Sequence, residues 1–241
     1  MMFRWGPDRI RFMRDASEYG DYNQRLAEWM SPWLNQDTHI CDAGCGLGYL
    51  SLALAPYVKQ VTAVDKNADA LRVLEENCRR QNIRNVKALC GDIALMPPKE
   101  PYDSMAFCLF GHIQEILAIA RRQCRGEVFV IIKNDAAHRF SVGSCALEGN
   151  HYQTACRYLR EHNIPFESET LELELGQPFR NWEDARRFFQ LYSRDENKSA
   201  ITDDFLGKKL VETGNDTFPY YLPCARKLGF IQLDAGNLPT I

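Results

Sequence analysis

Between residues 38 and 133, short apolar runs alternate with stretches in which apolar residues recur at helical spacing. The apolar runs have the length and composition of buried strands, and the stretches between them have one apolar face. Strands that alternate with helices predict an α/β fold, with a parallel sheet covered on both faces by right-handed crossovers. The predicted strands are THICDAG, QVTAVDK, VKALCGD, YDSMAFCLF and EVFVIIK, and the predicted helices are YLSLALAPYV, NADALRVLEENCRRQN and HIQEILAIARRQ.

The flanking regions have less regular patterns. Residues 8–34 predict one or two amphipathic helices, and residues 147–163 and 201–213 predict further ones. The run NWEDARRFFQLYSR predicts a helix capped by Asn181, and FESETLELEL alternates as a strand with one solvent-exposed face does. The run FPYYLPCARKLGFIQLD contains two strand-like stretches and is also consistent with one long, bulged strand.

No internal repeat or low-complexity segment interrupts the chain, so we expect a single domain over residues 1–241. Its predicted parts are an N-terminal helical lid over residues 1–35, a core over 36–133, a substrate-specificity insertion over 134–215 and C-terminal strands over 216–241.

Composition narrows the functional classes. The chain has 241 residues, 45% of them hydrophobic and 25% charged, and a formal net charge of −3, which gives no global basis for nucleic-acid binding. Its nine cysteines are odd in number and contain no Cys-x-x-Cys pair, which favours a reduced, cytoplasmic protein. The chain does not open on a secretory segment, and no run approaches the ~20 apolar residues of a membrane span.

The stretch CDAGCGLGYL joins the first predicted strand to its helix and indicates a nucleotide-type ligand. Gly44, Gly46 and Gly48 allow close backbone approach to a ligand at the start of a helix. A dinucleotide fold uses Gly-x-Gly-x-x-Gly for a pyrophosphate, whereas the spacing here is Gly-x-Gly-x-Gly with Asp42 ahead of it. An acid at that position suits a ligand with positive charge.

Two further acids end the next two predicted strands. Asp65 closes VTAVDK, where a carboxylate can accept both hydroxyls of an adenosine ribose. Asp92 follows the third strand in GDI, within reach of an exocyclic amine on an adenine ring. Asp65 as a simple helix cap and Asp92 as a turn residue are the structural alternatives. Three acids on consecutive strand ends favour a nucleoside whose other end is a cationic amino acid.

The blocks ICDAGCGLGYL, VTAVDK, LCGDI and YDSMAFCLFGH together resemble the Rossmann-like (class I) S-adenosylmethionine-dependent methyltransferases. The resemblance covers roughly residues 16–133, about half of the chain. It implies a three-layer α/β sandwich with a mostly parallel seven-stranded sheet and one antiparallel strand. N-terminal helices and a helical insertion after the fifth strand complete the expected fold.

The resemblance also implies roles for individual residues. Asp42, Gly44 and Gly46, with the intervening backbone of Cys45, would hold the methionine part of the cofactor, and the main chain of Cys108 would meet its amino group. Cys45 itself is interpreted as a small loop filler rather than a redox centre.

The adenosine part would lie over the next two strands. Asp65 would hold the ribose hydroxyls, Lys66 would lie against the adenine, and Asp92 and the Ile93 backbone would meet the ring. Tyr19, in a helix-and-tyrosine entry that resembles a lid, would lie near the cofactor carboxylate, or serve as an ordinary core contact. The residues expected to bind S-adenosylmethionine are Tyr19, Asp42, Gly44, Cys45, Gly46, Gly48, Asp65, Lys66, Asp92, Ile93 and Cys108, and no metal site is expected.

The expected reaction is methyl transfer to an oxygen or nitrogen of a small molecule. His112 follows the fourth strand and is the candidate general base, or simply a helix-start residue. The strand-end sequence CLFGH lacks the Asn/Asp-Pro-Pro-Tyr/Phe pattern that resembles base-amine and glutamine methyltransferases. Methylation of protein or RNA, and a cofactor-binding module without turnover, are the alternatives, and a monomer or a homodimer is expected.

Aromatic residues crowd the region after residue 133. They are consistent with an apolar small-molecule pocket and equally with an ordinary core. They are Phe179, Trp182, Phe188, Phe189, Tyr192, Phe218, Tyr220 and Tyr221.

Overall fold

The computed structural model describes residues 5–135, 140–141, 152–193 and 200–238. A seven-stranded sheet forms its centre, in the order β3-β2-β1-β4-β5-β10-β6. Strand β10 runs antiparallel to both of its neighbours, and the other pairs are parallel, which confirms the predicted mostly parallel sheet with one antiparallel strand. These strands are β1 (His39–Ala43), β2 (Gln60–Asp65), β3 (Val86–Cys90), β4 (Tyr102–Cys108), β5 (Cys124–Lys133), β6 (Glu167–Glu174) and β10 (Ala225–Asp234).

Helices cover both faces of this sheet and give the three-layer arrangement that the sequence predicts. One face packs against α5 and α6, through Ile116 and Leu159 among others, and the opposite face packs against α2 and α3, through Leu26 and Leu54. The helices of the described residues are α1 (Pro7–Tyr19), α2 (Tyr22–Met30), α3 (Tyr49–Leu54), α4 (Ala68–Arg80), α5 (Ile113–Gln123), α6 (Tyr152–Glu161), α7 (Trp182–Tyr192) and α8 (Asp203–Lys209).

A second, small sheet lies between β6 and β10 in the chain. Its strands β7 (Gln177–Phe179), β8 (Val211–Glu212) and β9 (Tyr220–Leu222) pair antiparallel in the order β7-β9-β8. We call this sheet, with α7 and α8, the appended unit. Its aromatic core includes Phe12 from the N-terminal helix α1, so the first and the later parts of the chain share one apolar cluster.

The structure changes the predicted boundaries of three segments. Part of the predicted 134–215 insertion, β6, belongs to the central sheet, because its alternating residues pair along β10. The helix predicted over 201–213 ends at Lys209, and the β-branched Val211 begins a strand instead. The run from 218 to 234 forms two strands in different sheets, separated at Pro223, which has no N–H to continue a ladder.

Residues 147–151 of the helix predicted over 147–163 lie outside the described residues, and its described part begins at Tyr152. In the described parts of the chain, none of the helices has the length and apolarity that crossing a membrane requires.

Candidate functional site

The glycine loop between β1 and α3 is left-handed at three positions. Gly44, Gly46 and Gly48 have φ angles of 73°, 54° and 75°, a region that residues with a Cβ rarely adopt. A Cβ on Gly44 would overlap the ring of Phe110, and one on Gly46 would lie 2.9 Å from Cζ2 of Trp5. The loop therefore requires glycine at these positions, both for its backbone conformation and for the close approach of Phe110 and Trp5 at the carboxyl ends of β1 and β4.

Asp65 joins this loop to the end of β2. Its Oδ2 accepts the Gly46 N–H at 2.9 Å, and its Oδ1 accepts the Asn67 N–H at 2.8 Å. Its backbone carbonyl accepts the Gly91 N–H at 2.9 Å, which connects β2 to the turn after β3. Asp65 is thus more than a helix cap, since Asn67 caps α4 by accepting the Ala70 N–H at 2.9 Å.

Asp42 lies beneath the loop, with 1% of its surface exposed. Ser51 Oγ donates a hydrogen bond to Asp42 Oδ2 at 2.5 Å. Burial, reinforced by the charge of Asp65, raises the pKa of Asp42 to about 6, and the Ser51 hydrogen bond opposes the rise. Sequence reasoning missed Ser51, whose position two residues into α3 gives no sign that it faces β1.

Cys45 is a thiol rather than a thiolate. Burial raises its pKa well above the ordinary value, and the charges of Asp42 and Asp65 act in the same direction. The reactive form of cysteine is the thiolate, so this environment favours the loop-filler interpretation over a redox role.

Asp92 and Lys66 form an ion pair at the ends of β3 and β2. Lys66 Nζ lies 2.8 Å from Asp92 Oδ2, and this contact lowers the pKa of Asp92. Asp92 Oδ1 also accepts the Ala94 N–H at 3.0 Å, which is the turn role considered from sequence. Ile93 is buried, and its carbonyl accepts a hydrogen bond from Gln123 Nε2 at 2.6 Å. The structure thus places Lys66, Asp92 and Ile93, the three residues expected on the adenine side, at the sheet edge next to Asp65.

The loop after β4 is strained at an exposed residue. Leu109 has a φ of 55°, which branched side chains seldom adopt, and its side chain is 38% exposed. Its N–H donates to the Ile131 carbonyl at 2.9 Å, so the strained backbone is held in place. His112 follows as the exposed N-cap of α5 and makes no side-chain cap bond. Strained residues cluster at functional sites, and sequence reasoning missed Leu109 because φ is not readable from residue type.

Tyr19 lies against the appended unit. Its ring stacks on Tyr221 at a centroid distance of 5.1 Å and meets Phe218 edge-on at 5.9 Å. Both contacts favour the packing interpretation of Tyr19. From the same N-terminal segment, Trp5 is the residue that lies over Gly46.

Helix α1 and the appended unit, which we together call the roof, are joined by ion pairs between buried aspartates and partly exposed arginines. Arg180 binds both carboxylate oxygens of Asp15, at 2.5 and 2.9 Å, and Arg11 Nη2 lies 2.6 Å from Asp184 Oδ1. Both aspartates are buried. Phe12 inserts between these pairs and meets Phe188 edge-on at 5.2 Å.

The aromatic cluster of the roof is largely core. Phe179, Phe188 and Phe189 are at most 3% exposed, so they pack rather than line an open pocket. Tyr192 is only partly buried and packs on the edge of this cluster.

A separate groove of about 540 Å³ lies between the end of α1 and the outer faces of α3 and α4. It is lined by Glu18, Tyr49 and Arg80 among others and includes none of the residues expected to bind the cofactor. The chemistry of the glycine loop and the three acids makes the sheet edge the candidate site instead.

Comparison with known proteins gives a consistent assignment. A family model described as a methyltransferase domain matches residues 34–189. A stretch of 106 residues, 42% of this chain, is 30% identical to a 23S rRNA (uracil(1939)-C(5))-methyltransferase from Haemophilus parainfluenzae, of which it covers 24%. A stretch of 91 residues, 36% of this chain, is 33% identical to (S)-coclaurine N-methyltransferase from Thalictrum flavum, of which it covers 25%. The matched stretches thus span about a quarter of each curated relative.

Among solved structures, the YcgJ protein from Bacillus subtilis has the same fold. It superposes with a TM-score of 0.56 at 13% identity, over 88% of this chain and 98% of that protein. At this identity the likeness concerns the fold alone.

Proposed function

This chain belongs to the class I S-adenosylmethionine-dependent methyltransferases, and from that membership we propose that it methylates an oxygen or nitrogen atom of a small molecule. The observation that carries the proposal is the sheet edge, which brings together the left-handed glycine loop, Asp42, Asp65 and Asp92. Beside this edge, Trp5 lies over Gly46, and Trp5, Ile10 and Met13 pack against an apolar cluster of the glycine loop and α4. The net charge of −3, and the strand end CLFGH without the Asn/Asp-Pro-Pro-Tyr/Phe pattern, support a small acceptor over a nucleic acid.

The residues at this edge fit S-adenosylmethionine. Gly44 and Gly46 carry no Cβ of their own, and the side chains that lie against them are those of Phe110 and Trp5. Each carboxylate oxygen of Asp65 accepts one backbone N–H and retains a lone pair for a ribose hydroxyl. Asp42 places negative charge under the loop, where the cofactor carries its positive charge.

The protein's part in the reaction is mainly alignment and exclusion of water. When bound, S-adenosylmethionine supplies a methyl group on a good leaving group, so correct placement of the acceptor can supply several kcal/mol of barrier lowering. Asp65 and the Asp92–Lys66 pair would orient the adenosine end, and the strained Leu109 would face the acceptor. His112 is the residue of this loop that could accept the proton of a hydroxyl or amine.

Two relatives suggest different acceptors, since one is named for an rRNA base and the other for a small amine. The test is to incubate the protein with cofactor labelled in its methyl group and a cell extract separated into metabolites, RNA and protein. We expect label in the metabolite fraction. Label in RNA or protein would replace the small-molecule assignment, and no label with intact cofactor binding would indicate a binding module.

The cofactor assignment has its own test in Asp65→Ala. Loss of two hydrogen bonds to a charged group should cost about 3 kcal/mol, which is roughly a hundredfold in affinity for S-adenosylhomocysteine measured by calorimetry. Asp69→Ala is the matched control, because Asp69 is an exposed acid on α4 that pairs with Arg72. Circular dichroism would establish that both variants fold. Binding of NAD in place of S-adenosylhomocysteine, or unchanged affinity in Asp65→Ala, would contradict the assignment.

A further inference from the structure

Arg226 lies at the carboxyl edge of the parallel strands, beside the candidate site. It pairs across β10 with Leu173, near the end of β6. Arg226, Leu228 and Phe230 alternate along β10 and so lie on one face of the sheet. Leu228 and Phe230 are buried in the core beneath α2, which places Arg226 at the top of that core. Its guanidinium carbon is 5.7 Å from the ring centroid of Tyr22.

Among the described residues, the charge of Arg226 has the Tyr22 ring as a cation–π partner but no anionic partner. Its Nε is buried and makes no hydrogen bond, and no ion pair to its guanidinium is found there. Three arginines of the roof, Arg11, Arg180 and Arg187, each pair with an aspartate. Arg14 of α1 also has a buried Nε without a hydrogen bond, but its guanidinium pairs with Glu76. A buried donor without a partner is costly, so its retention calls for an explanation such as a ligand.

The neighbours of Arg226 belong to both sides of the candidate site. Burial and the charge of Asp42 raise the pKa of the Cys108 thiol to about 12, and the positive charge of Arg226 opposes this rise. Burial also raises the pKa of Tyr192 in α7 to about 12, and the charges of Arg226 and Arg9 oppose that rise. Arg226 therefore lies between the end of β4 and the roof.

The nearby carboxylates are engaged elsewhere. Asp42 accepts from Ser51, and Asp8 pairs with Arg187 at 2.6 Å. Asp135, at the end of β5, is buried and accepts the Lys227 backbone N–H at 3.3 Å. Among the described residues, none of these three acids forms an ion pair with Arg226.

We propose that Arg226 binds a carboxylate or phosphate group of the methyl acceptor, so that the acceptor is an anionic small molecule. The inference rests on the proposed function. We assign Arg226 to the acceptor rather than to the cofactor because β4 and β5 lie between its strand, β10, and the strands whose ends carry Asp42, Asp65 and Asp92.

The experiment uses the full chain and a metabolite extract split on an anion-exchange resin into retained and unretained fractions. With labelled cofactor, we expect label only from the retained fraction. Arg226→Gln should lower the labelling rate by about 10- to 100-fold, since charge-assisted hydrogen bonds are lost. Arg226→Lys should recover part of the rate. Lys227→Gln, the exposed neighbour on β10, is the matched control and should stay within about twofold.

Calorimetry distinguishes the two anions that Arg226 could bind, the carboxylate of the cofactor and the anionic group of the acceptor. The ligands are S-adenosylhomocysteine and 5′-methylthioadenosine, which lacks the amino-acid end. We expect Arg226→Gln to leave both affinities unchanged. A loss for S-adenosylhomocysteine alone would place Arg226 on the cofactor carboxylate and overturn the inference. Label only from the unretained fraction would overturn it and leave the proposed function standing, whereas no label from either fraction would contradict both. If Arg226→Gln does not fold, the same comparisons apply to Arg226→Lys.

Discussion

At the scale of single residues, the least usual feature is Asp42, a carboxylic acid almost completely buried from solvent. Asp42 has one hydroxyl partner, Ser51, and its pKa is raised to about 6 mainly by burial. In the unfolded chain the group would titrate near 3.8. Between about pH 4 and pH 6 the folded state therefore binds more protons than the unfolded state, so stability falls as pH rises through that window.

Asp42→Asn should remove the free-energy cost of keeping a buried carboxylate ionised at neutral pH. The shift of about two pKa units corresponds to roughly 3 kcal/mol, so the variant should be more stable at pH 7.5 by up to that amount, less the cost of burying its amide N–H groups. The gain should shrink at pH 4.5, where Asp42 is mostly protonated in the folded state. Urea denaturation at both pH values measures the difference in the free energy of unfolding between variant and wild type. An equal difference at both pH values would contradict the role of Asp42 ionisation.

The same variant should bind the cofactor less well. S-adenosylmethionine carries a positive sulfonium that S-adenosylhomocysteine lacks, so loss of the Asp42 charge should weaken the first ligand more than the second. Calorimetry with both ligands gives the ratio. The acid would then be kept at a cost in stability because it serves the site.

At the scale of elements, the docking of α1 on the appended unit depends on three salt bridges and on the aromatic side chains of Phe12 and Tyr19. Asp15 and Asp184 are buried, while their arginine partners are partly exposed. The positive ends thus keep some contact with water, which limits the desolvation cost of burying these pairs.

Asp15→Ala should loosen the roof. It removes the bidentate partner of Arg180, and we expect a loss of about 1–3 kcal/mol in the free energy of unfolding. Hydrogen exchange should accelerate in α1 and α7 but not in α5, which packs on the opposite face of the central sheet. Glu28→Ala breaks an exposed pair with Arg25 and should cost no more than about 0.5 kcal/mol. Equal acceleration in α5 would show that the roof is not a separate element.

At the scale of the whole molecule, α1 connects two cores. Its Ile10 and Met13 pack on Leu47 and Val73 beside the glycine loop, and its Phe12 enters the aromatic cluster of the appended unit. A shared helix predicts that the central sheet and the appended unit unfold together.

Phe12→Ala should therefore lower the stability of the whole chain, by about 3–5 kcal/mol, in a single transition. Circular dichroism and tryptophan fluorescence should report the same midpoint in both the wild type and the variant. Leu95→Ala is the control, because Leu95 is 78% exposed and its truncation should change stability by less than about 0.5 kcal/mol. Two separated transitions would contradict the single-domain expectation.

The sequence by itself determined the order of β1 to β5, the family, and the three acids at the strand ends. These features have local signals: apolar periodicity marks each strand and helix, and left-handed turns require glycine at Gly44, Gly46 and Gly48. Because parallel strands end at one edge, residues that follow them in the sequence are brought together without further information.

Only the tertiary structure decided which strands pair after residue 134 and where the roof docks. The bond from Arg180 to Asp15 joins residues 165 positions apart, and the contact of Arg226 with Tyr22 crosses from the last strand to the second helix. Nothing in the local pattern distinguishes a salt-bridged arginine from an unpaired one, since both look like solvated charges in a sequence. Such contacts depend on how the elements pack, which is set by the burial of the whole apolar surface rather than by any short stretch of it.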